Sequence, residues 1–256
     1  MKNYVVKTFV YDSVEVLHFV FGFLKPLFRP FVNKLRSKKI ETINNIYQTN
    51  ALSVLKEFDD CLTKNSIPYT LAFGTLLGAI REKGFIKHDL DIDTAVWVEQ
   101  DHDNIKLALK KYGFDLIHTF LVEEGLFGRE ETYEKCGVHI DIFYFYPAKK
   151  EYPYCCDFLR WPTCRSMYAS MRLKGKILAR RIEMPMVKTS KRVPFENLLL
   201  PVPENAEELL KFRYGEDYMV PNPNWTQEGT YDKHIIEWPE VKAVVQKGFE
   251  PWPYGM

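Results

Sequence analysis

Hydrophobic positions at helical spacing form the first strong pattern in the chain. Leu52, Leu55, Phe58 and Leu62 recur at intervals of three and four residues. This spacing predicts a helix from Ile40 to about Lys64. A polar segment that ends in proline follows and is predicted to stop the helix.

Strands are predicted where apolar and aromatic residues alternate or run together. The predicted strands cover residues 69–73, 91–98, 114–122 and 138–146, and helices are predicted over residues 76–81 and from Asp101 to Gly113. Asp and Gly are favoured capping residues at the two ends of a helix. Strands mixed with helices of this length predict an α/β or α+β fold, in which helices flank a small mixed sheet.

The pattern weakens after Pro147. Residues 152–162 are rich in Cys, Pro and aromatic residues and are predicted to be irregular, while residues 167–182 are locally basic. A helix is predicted from Pro203 to Tyr214, because proline suits the first turn and Gly215 suits the end. No repeat or low-complexity linker is visible, which predicts one domain over residues 40–256 behind an N-terminal extension of residues 1–39.

The N-terminal extension combines bulky apolar side chains with Lys and Arg over residues 14–39. This composition is typical of a segment that lies in a membrane interface, and a helix that packs on the domain explains it equally well. Pro26 and Pro30 are predicted to break any single long helix. The chain shows no apolar run of about 20 residues and no secretory signal. We therefore expect a cytoplasmic protein, with peripheral contact on the inner face of the membrane under the first interpretation.

Composition narrows the classes of function. The 256 residues carry a formal net charge of +1, so no overall field attracts nucleic acid, and a nucleic-acid partner is not expected. An odd number of cysteines, five in all, predicts free thiols in a reducing compartment. Zinc at Cys155, Cys156 and Cys164 stays an alternative, although these residues lack the spacing that makes a zinc site specific.

Acidic residues at alternate positions form the main candidate for chemistry. Asp89, Asp91 and Asp93 open a predicted strand, in which residues i and i+2 share a face and lie roughly 7 Å apart. Carboxylates arranged in this way suit a hard cation such as Mg²⁺ or Mn²⁺. Asp141 lies within another predicted strand, between two isoleucines, where an acid needs a partner. If the two strands are neighbours, Asp141 is a third ligand or a general base.

A glycine and a threonine precede these acids at a predicted strand-to-helix junction. Gly74 allows close approach of the backbone, and the Thr75 hydroxyl can add a hydrogen bond. Because a helix N-terminus offers free N–H groups and a favourable dipole, this junction is predicted to bind phosphate. The order of phosphate-binding turn, short helix and acidic strand is coherent for phosphoryl transfer.

Three stretches of the sequence carry a resemblance to a known family. Residues 73–86 (FGTLLGAIREKGFI), which lead into Asp89, Asp91 and Asp93, closely resemble the signature of the LicD family, in the nucleotidyltransferase superfamily. Residues 139–143 and 213–221 look like its second acidic strand and its C-terminal Tyr-Gly element. The family includes bacterial phosphocholine transferases and is related to fukutin-type ribitol-phosphate transferases. This chain departs from the pattern at Leu90, which replaces an acid, and Lys87 and His88 could alter substrate choice.

The resemblance implies metal-dependent transfer of a phospho-alcohol, such as phosphocholine, from a CDP-alcohol donor. The acceptor would be a cell-surface glycan or its lipid-linked precursor. Asp91 and Asp93 would hold Mg²⁺, Asp141 would complete the site or deprotonate the acceptor hydroxyl, and Asp89 would be an auxiliary ligand. Arg81 and Lys83 are candidates for binding the donor phosphates, or else solvated surface charges.

Other functions fit some of the same residues. A nucleotidyltransferase that transfers the nucleotide itself would need the same acids and the same turn. A glycosyltransferase with an acidic pair is disfavoured by the Gly-Thr-helix segment. A catalytically inactive glycan-binding relative is disfavoured because the acids are present. His139 shares the face of Asp141 and is interpreted as structural.

Overall fold

The computed structural model describes residues 25–87, 89–148, 151–222 and 234–248, with side chains from Glu41 onward. Residues 1–24 of the predicted extension, His88 and parts of the C-terminal tail lie outside this description. The chain divides into two compact units, residues 1–45 and residues 46–256. The predicted boundary at residue 39 stays a prediction.

Helix α1 (Lys25–Lys64) ends where the sequence predicts and begins much earlier. Pro26 lies in its first turn, where the missing N–H group is no loss. Pro30 lies further in, and the helix continues through it, so the predicted break is wrong. The buried stripe of Leu55, Phe58 and Leu62 confirms the helical pattern. No helix among the described residues combines the length and apolar character needed to cross a membrane.

The main sheet has six strands in the order β1-β2-β5-β4-β3-β11. Only β2 and β5 run parallel, and the other neighbours are antiparallel. The strands are β1 (Thr70–Leu71), β2 (Asp91–Trp97), β3 (Asp115–Val122), β4 (Gly128–Lys135), β5 (Val138–Phe145) and β11 (Ala243–Lys247). This mixed sheet confirms the predicted fold class.

The two faces of the central strands differ in character. Ile92, Val96, Ile140 and Ile142 are buried on one face and belong to the hydrophobic core. Because successive side chains in a strand point to opposite faces, the acids of β2 and β5 share the other face. The amphipathic strands therefore separate the core from the candidate site.

Four further helices flank the sheets. They are α2 (Phe73–Arg81), α3 (His102–Lys111), α4 (Met167–Lys174) and α5 (Ala206–Tyr214). Asp101 caps α3 as predicted, because its carboxylate accepts hydrogen bonds from the N–H groups of Asp103 and Asn104. The N-terminus of α5 differs from the prediction, since Pro203 is the last residue of a strand.

The remaining strands form a three-stranded sheet, β10-β7-β6, and a hairpin, β8-β9. Their bounds are β6 (Tyr154–Leu159), β7 (Leu178–Glu183), β8 (Ser190–Phe195), β9 (Leu198–Pro203) and β10 (Ile235–Glu237). The prediction that residues 152–162 are irregular is wrong. Core side chains of β6 include Tyr154, Cys155, Cys156 and Phe158, and the strand pairs along its whole length with β7.

Candidate active site

The parallel pairing of β2 and β5 brings the two main acids together. Asp93 lies directly across from Asp141, and Asp91 lies across from His139. This register confirms that Asp141 comes from a strand beside the acidic one. The Tyr47 hydroxyl donates a hydrogen bond of 2.8 Å to the backbone carbonyl of Asp91 and so ties α1 to the start of β2.

Asp93 is held at three points by the segment that joins β1 to α2. The Ala72 N–H donates to the Asp93 carbonyl at 3.0 Å. The Gly74 N–H donates to Asp93 Oδ2 at 3.0 Å. The Thr75 hydroxyl accepts from the Asp93 N–H at 2.9 Å. Thr75 is only 2% exposed, so in this structure it supports Asp93, and direct phosphate binding by Gly74 and Thr75 stays a prediction.

Gly74 also explains how Asp89 reaches the site. A Cβ atom at Gly74 would lie 3.0 Å from Asp89 Oδ2 and 3.3 Å from Asp93 Oδ2. Both carboxylates therefore converge on a residue of α2 that has no side chain. Gly78, one turn later, is equally constrained, because a Cβ atom there would lie 2.4 Å from the Gly84 carbonyl oxygen.

The residue before Gly74 has a strained backbone. Phe73 has a φ of +41°, a conformation that non-glycine residues adopt at an energetic cost and that is found more often at functional sites. Its ring packs edge-on against Phe143, with 4.7 Å between ring centroids. This contact joins the start of α2 to the acid-bearing face of β5.

Asp141 is oriented by two threonines. The Thr132 hydroxyl on β4 donates to Asp141 Oδ1, and the Thr94 hydroxyl on β2 donates to the Asp141 carbonyl at 2.9 Å. Thr132 and Asp141 are direct partners across β4 and β5. The sequence gives no signal for Thr132, because its role depends on strand register.

The pKa values of the acids reflect burial and mutual repulsion. Burial raises the pKa of Asp93 well above its ordinary value, and the charges of Asp91 and Asp141 raise it further. Burial raises the pKa of Asp141 to about 7, although the hydrogen bond from Thr132 opposes this. Asp91 is exposed to solvent. Even so, the protein atoms around its carboxyl group displace water and raise its pKa, while the charge of His139 lowers it.

The chemistry of these acids fits a hard cation. A cation relieves the repulsion that raises the pKa of Asp93, and carboxylate oxygens are the ligands that Mg²⁺ prefers. In the conformation described, no three His, Cys, Asp or Glu side chains in the described ranges already enclose a metal position.

Comparison with known proteins decides the family of this domain. Residues 66–205, a little over half of the 256 residues, match the nucleotidyltransferase domain described as LicD/FKTN/FKRP. The chain belongs to the LicD family. The match begins just before β1 and ends just before α5, so it includes the acids and the segment that holds them.

Individual relatives match over shorter stretches. The ribitol-5-phosphate transferase FKTN of Mus musculus is 31% identical over 103 residues, 40% of this chain and 22% of that protein. Its human counterpart is 30% identical over 102 residues, 39% of this chain and 22% of that protein. The uncharacterized protein RT0683 of Rickettsia typhi is 32% identical over 113 residues, 42% of this chain and 33% of that protein. This LicD-family chain thus covers no more than a third of these relatives.

The C-terminal Tyr-Gly element of the LicD resemblance lies at the acids. Burial raises the pKa of Tyr214, and the charges of Asp93 and Asp89 raise it further, which places the phenol beside these carboxylates. Arg213 is 6% exposed, and its guanidinium lies 5.7 Å from the centroid of the Phe73 ring. The end of α5 therefore forms one wall of the site.

Arg81 and Lys83, the two candidate phosphate ligands, differ in their surroundings. The Arg81 side chain is 11% exposed and pairs with Glu82 at 2.8 Å. It also donates to the Tyr218 carbonyl at 3.3 Å, so it is not a solvated surface charge. Lys83 is exposed, and its backbone carbonyl accepts from the Glu196 N–H. Contact of either residue with the donor stays a prediction.

The histidines and cysteines contribute in a structural way. His118, which sequence reasoning misses, lies near His139, and burial together with the charge of His139 lowers the pKa of His118 to about 4. None of the five cysteines, all of which are described, forms a disulfide bond, and only Cys136 is exposed. Because the described residues contain no cluster of ligands for a metal, the zinc alternative at Cys155, Cys156 and Cys164 has no support.

Proposed function

We propose that this LicD-family chain is a metal-dependent transferase that moves a phospho-alcohol from a CDP-alcohol onto a glycan or its lipid-linked precursor. The observation that carries the proposal is the side-by-side placement of Asp93 and Asp141 on adjacent parallel strands. Both carboxyl groups are buried among other acids, which raises their pKa values. Such an arrangement destabilises the folded protein, and strongly perturbed pKa values of this kind cluster at functional sites.

Asp91, Asp93 and Asp141, with Asp89 as an auxiliary ligand, are the residues that would hold Mg²⁺ or Mn²⁺. When bound, the cation would neutralise charge on the donor diphosphate. Thr75, Gly74 and Ala72 keep Asp93 in place for this role. Arg81 and Lys83 are the candidates for further contacts with the donor phosphates.

Asp141 is suited to receive the acceptor proton if it does not complete the cation site. Its pKa of about 7 is close to the operating pH at which a general base is most effective. In the proposed reaction, the acceptor oxygen forms a bond to the phosphorus of the phospho-alcohol. The bond from that phosphorus to the CMP oxygen breaks, CMP leaves, and the hydroxyl proton passes to Asp141.

The relatives support a phospho-alcohol as the transferred group, since FKTN is named a ribitol-5-phosphate transferase. The likeness covers a small part of that protein, so the alcohol, the donor nucleotide and the glycan are all part of the proposal. A cytoplasmic site, with residues 14–39 at the membrane, would suit a lipid-linked acceptor. Binding to anionic liposomes that persists after deletion of residues 1–39 would contradict that placement.

The test of the proposed function is an assay of products. Purified protein is incubated with Mg²⁺, with methyl glycosides of hexoses and N-acetylhexosamines as acceptors, and with either CDP-choline, CDP-ribitol or CTP, and the nucleotides are separated by chromatography. We expect CMP to be released from a CDP-alcohol, and this release to be lost in Asp93→Asn and kept in Asp103→Asn, whose side chain is 72% exposed. Pyrophosphate release from CTP, without reaction of either CDP-alcohol, would favour a nucleotidyltransferase instead.

A further inference from the structure

Strand β4 carries a carboxyl group that faces the same site. Glu130 pairs across the strands with Phe143, just as Thr132 pairs with Asp141. Residues two apart in a strand share a face, so Glu130 lies on the face that holds Asp141. Phe143, its partner, is the residue that packs against the strained Phe73.

The surroundings of Glu130 are acidic. Burial raises the pKa of Glu130, and the charges of Asp141, Asp157 and Asp93 raise it further, in that order. Asp157 forms an ion pair with Arg180. Among the described residues, none forms a hydrogen bond or an ion pair with the Glu130 carboxyl group. Glu130 is half-buried, so its carboxyl group can meet a ligand that enters the site.

The next residue shows how a structural acid is satisfied in this sheet. Glu131 is 1% exposed and points to the opposite face. It pairs with Arg129 at 2.9 Å and accepts hydrogen bonds from the hydroxyls of Tyr133 at 2.8 Å and Tyr144 at 3.1 Å. Strands β4 and β5 therefore supply Glu131 with three partners, whereas no described residue forms a hydrogen bond or an ion pair with the Glu130 carboxyl group.

Strand order assigns Glu130 to one side of the site. The order β2-β5-β4 places Asp141 between the acids of β2 and Glu130. Asp89, Asp91 and Asp93, on the side of α2, are the groups proposed to serve the donor diphosphate. None of these contacts excludes a second anionic group on the donor side. Glu130 lies on the other side of Asp141, and an acidic wall there suits a neutral hydroxyl ligand better than a phosphate.

We propose that Glu130 binds the hydroxyl groups of the acceptor and so helps to select a neutral polyhydroxylated acceptor, on the side of Asp141 away from the donor. This inference rests on the proposed function. A carboxyl group that is open to the site can accept a hydrogen bond from an acceptor hydroxyl, and it can also donate one to that hydroxyl when it is protonated.

The test compares Glu130→Gln with Glu134→Gln, a matched change on the same strand and face. Donors are CDP-choline and CDP-ribitol, and acceptors are methyl glycosides of hexoses and N-acetylhexosamines, with Mg²⁺. We expect at least one glycoside to stimulate CMP release by the wild type. Glu130→Gln should raise the KM for that glycoside at least about tenfold, while the donor Kd measured by calorimetry changes less than about twofold. Glu134→Gln should match the wild type.

Thermal melting separates this role from a structural one. Glu130→Gln removes an acid from among other acids and should melt at the same or a higher temperature, whereas a residue kept for stability would melt lower. An unchanged glycoside KM, or an equal loss of donor affinity, would overturn the assignment. It would also be overturned if no glycoside stimulated the wild type, even where the donor binds. Failure of the wild type to bind either donor would instead refute the proposed function, and this inference with it.

Discussion

Asp93 is held by three residues of one short segment, through the backbone of Ala72, the backbone of Gly74 and the hydroxyl of Thr75. These contacts fix both the main chain and the carboxylate of Asp93. Gly74 and Thr75 therefore position Asp93, which follows them by almost 20 residues in the chain. Its strained neighbour, Phe73, is consistent with a site shaped for function.

The role of the Thr75 hydroxyl can be tested by mutation. Thr75→Val keeps the shape and leaves the Asp93 N–H without its acceptor, which should lower the free energy of unfolding by about 1–3 kcal/mol. The displaced Asp93 should also weaken Mg²⁺-dependent binding of CDP-choline or CDP-ribitol. Urea unfolding and calorimetry measure the two effects.

Thr75→Ser is the control for this change, because it retains the oxygen that accepts from the Asp93 N–H. It should keep Mg²⁺-dependent donor binding. Equal donor affinity in Thr75→Val and Thr75→Ser would show that the hydroxyl does not position Asp93.

Single residues were predictable only where their type and spacing carry the signal. Asp89, Asp91, Asp93 and Asp141 stand out because acids alternate with apolar residues in strands. Glu130 and Thr132 do not, because they reach the site through the register of β4 against β5. A register shift of one residue would turn both side chains to the other face, and composition alone does not specify it.

The bounds of helices and strands with a clear amphipathic pattern were predicted accurately from the sequence. Strands β2 and β5 and helix α3 match the predicted ranges to within one or two residues. Strand β4 (Gly128–Lys135) is missed because five of its eight residues are charged. Strand β6 is missed because its pairing with β7 joins segments that lie far apart in the chain.

A prediction at the scale of elements concerns the buried acid of β4 that faces the core. Glu131→Ala would leave Arg129 without its ion-pair partner and two tyrosine hydroxyls without an acceptor. Loss of one partner of a buried pair typically lowers the free energy of unfolding by about 3–5 kcal/mol. Denaturant unfolding of the variant measures this loss.

The double variant Arg129→Met/Glu131→Met tests the reason for that loss. Because apolar residues can replace a buried ion pair at little cost, it should be more stable than Glu131→Ala. A double variant that is less stable than Glu131→Ala would show that the network matters for more than charge compensation.

The whole molecule has a net charge of only +1, yet its candidate site is strongly acidic. The acids of β2, β4 and β5 lie on one face of the main sheet, while the opposite face belongs to the hydrophobic core. The sequence could not show where α1 begins, because helix formation there overrides the local effect of Pro30.

The acidic site predicts an unusual dependence of stability on pH. The pKa of Asp141 rises from an ordinary 3.8 to about 7 on folding, so the folded state binds this proton more tightly than the unfolded state. Its stabilising contribution is present below about pH 4 and is lost as pH rises through about 7. The pKa values of Asp91, Asp93 and Glu130 shift in the same direction.

The melting temperature should therefore fall between about pH 5 and about pH 8. Asp141→Asn should reduce this fall, and Mg²⁺ should raise the melting temperature more at the higher pH, where the carboxylates are ionised. Melting curves of both proteins, with and without Mg²⁺, measure the effect. An equal slope in Asp141→Asn would contradict the assigned pKa shift of Asp141.

The most direct measurement of the central claim is calorimetric titration of CDP-choline and CDP-ribitol into the protein, with and without Mg²⁺. It is repeated with Asp91→Ala/Asp93→Ala and with the surface control Asp103→Asn. We expect at least one donor to bind only with Mg²⁺, and this binding to be lost in the double variant and kept in the control. Binding of neither donor to the wild type in the presence of Mg²⁺, or equal binding to the double variant, would contradict it.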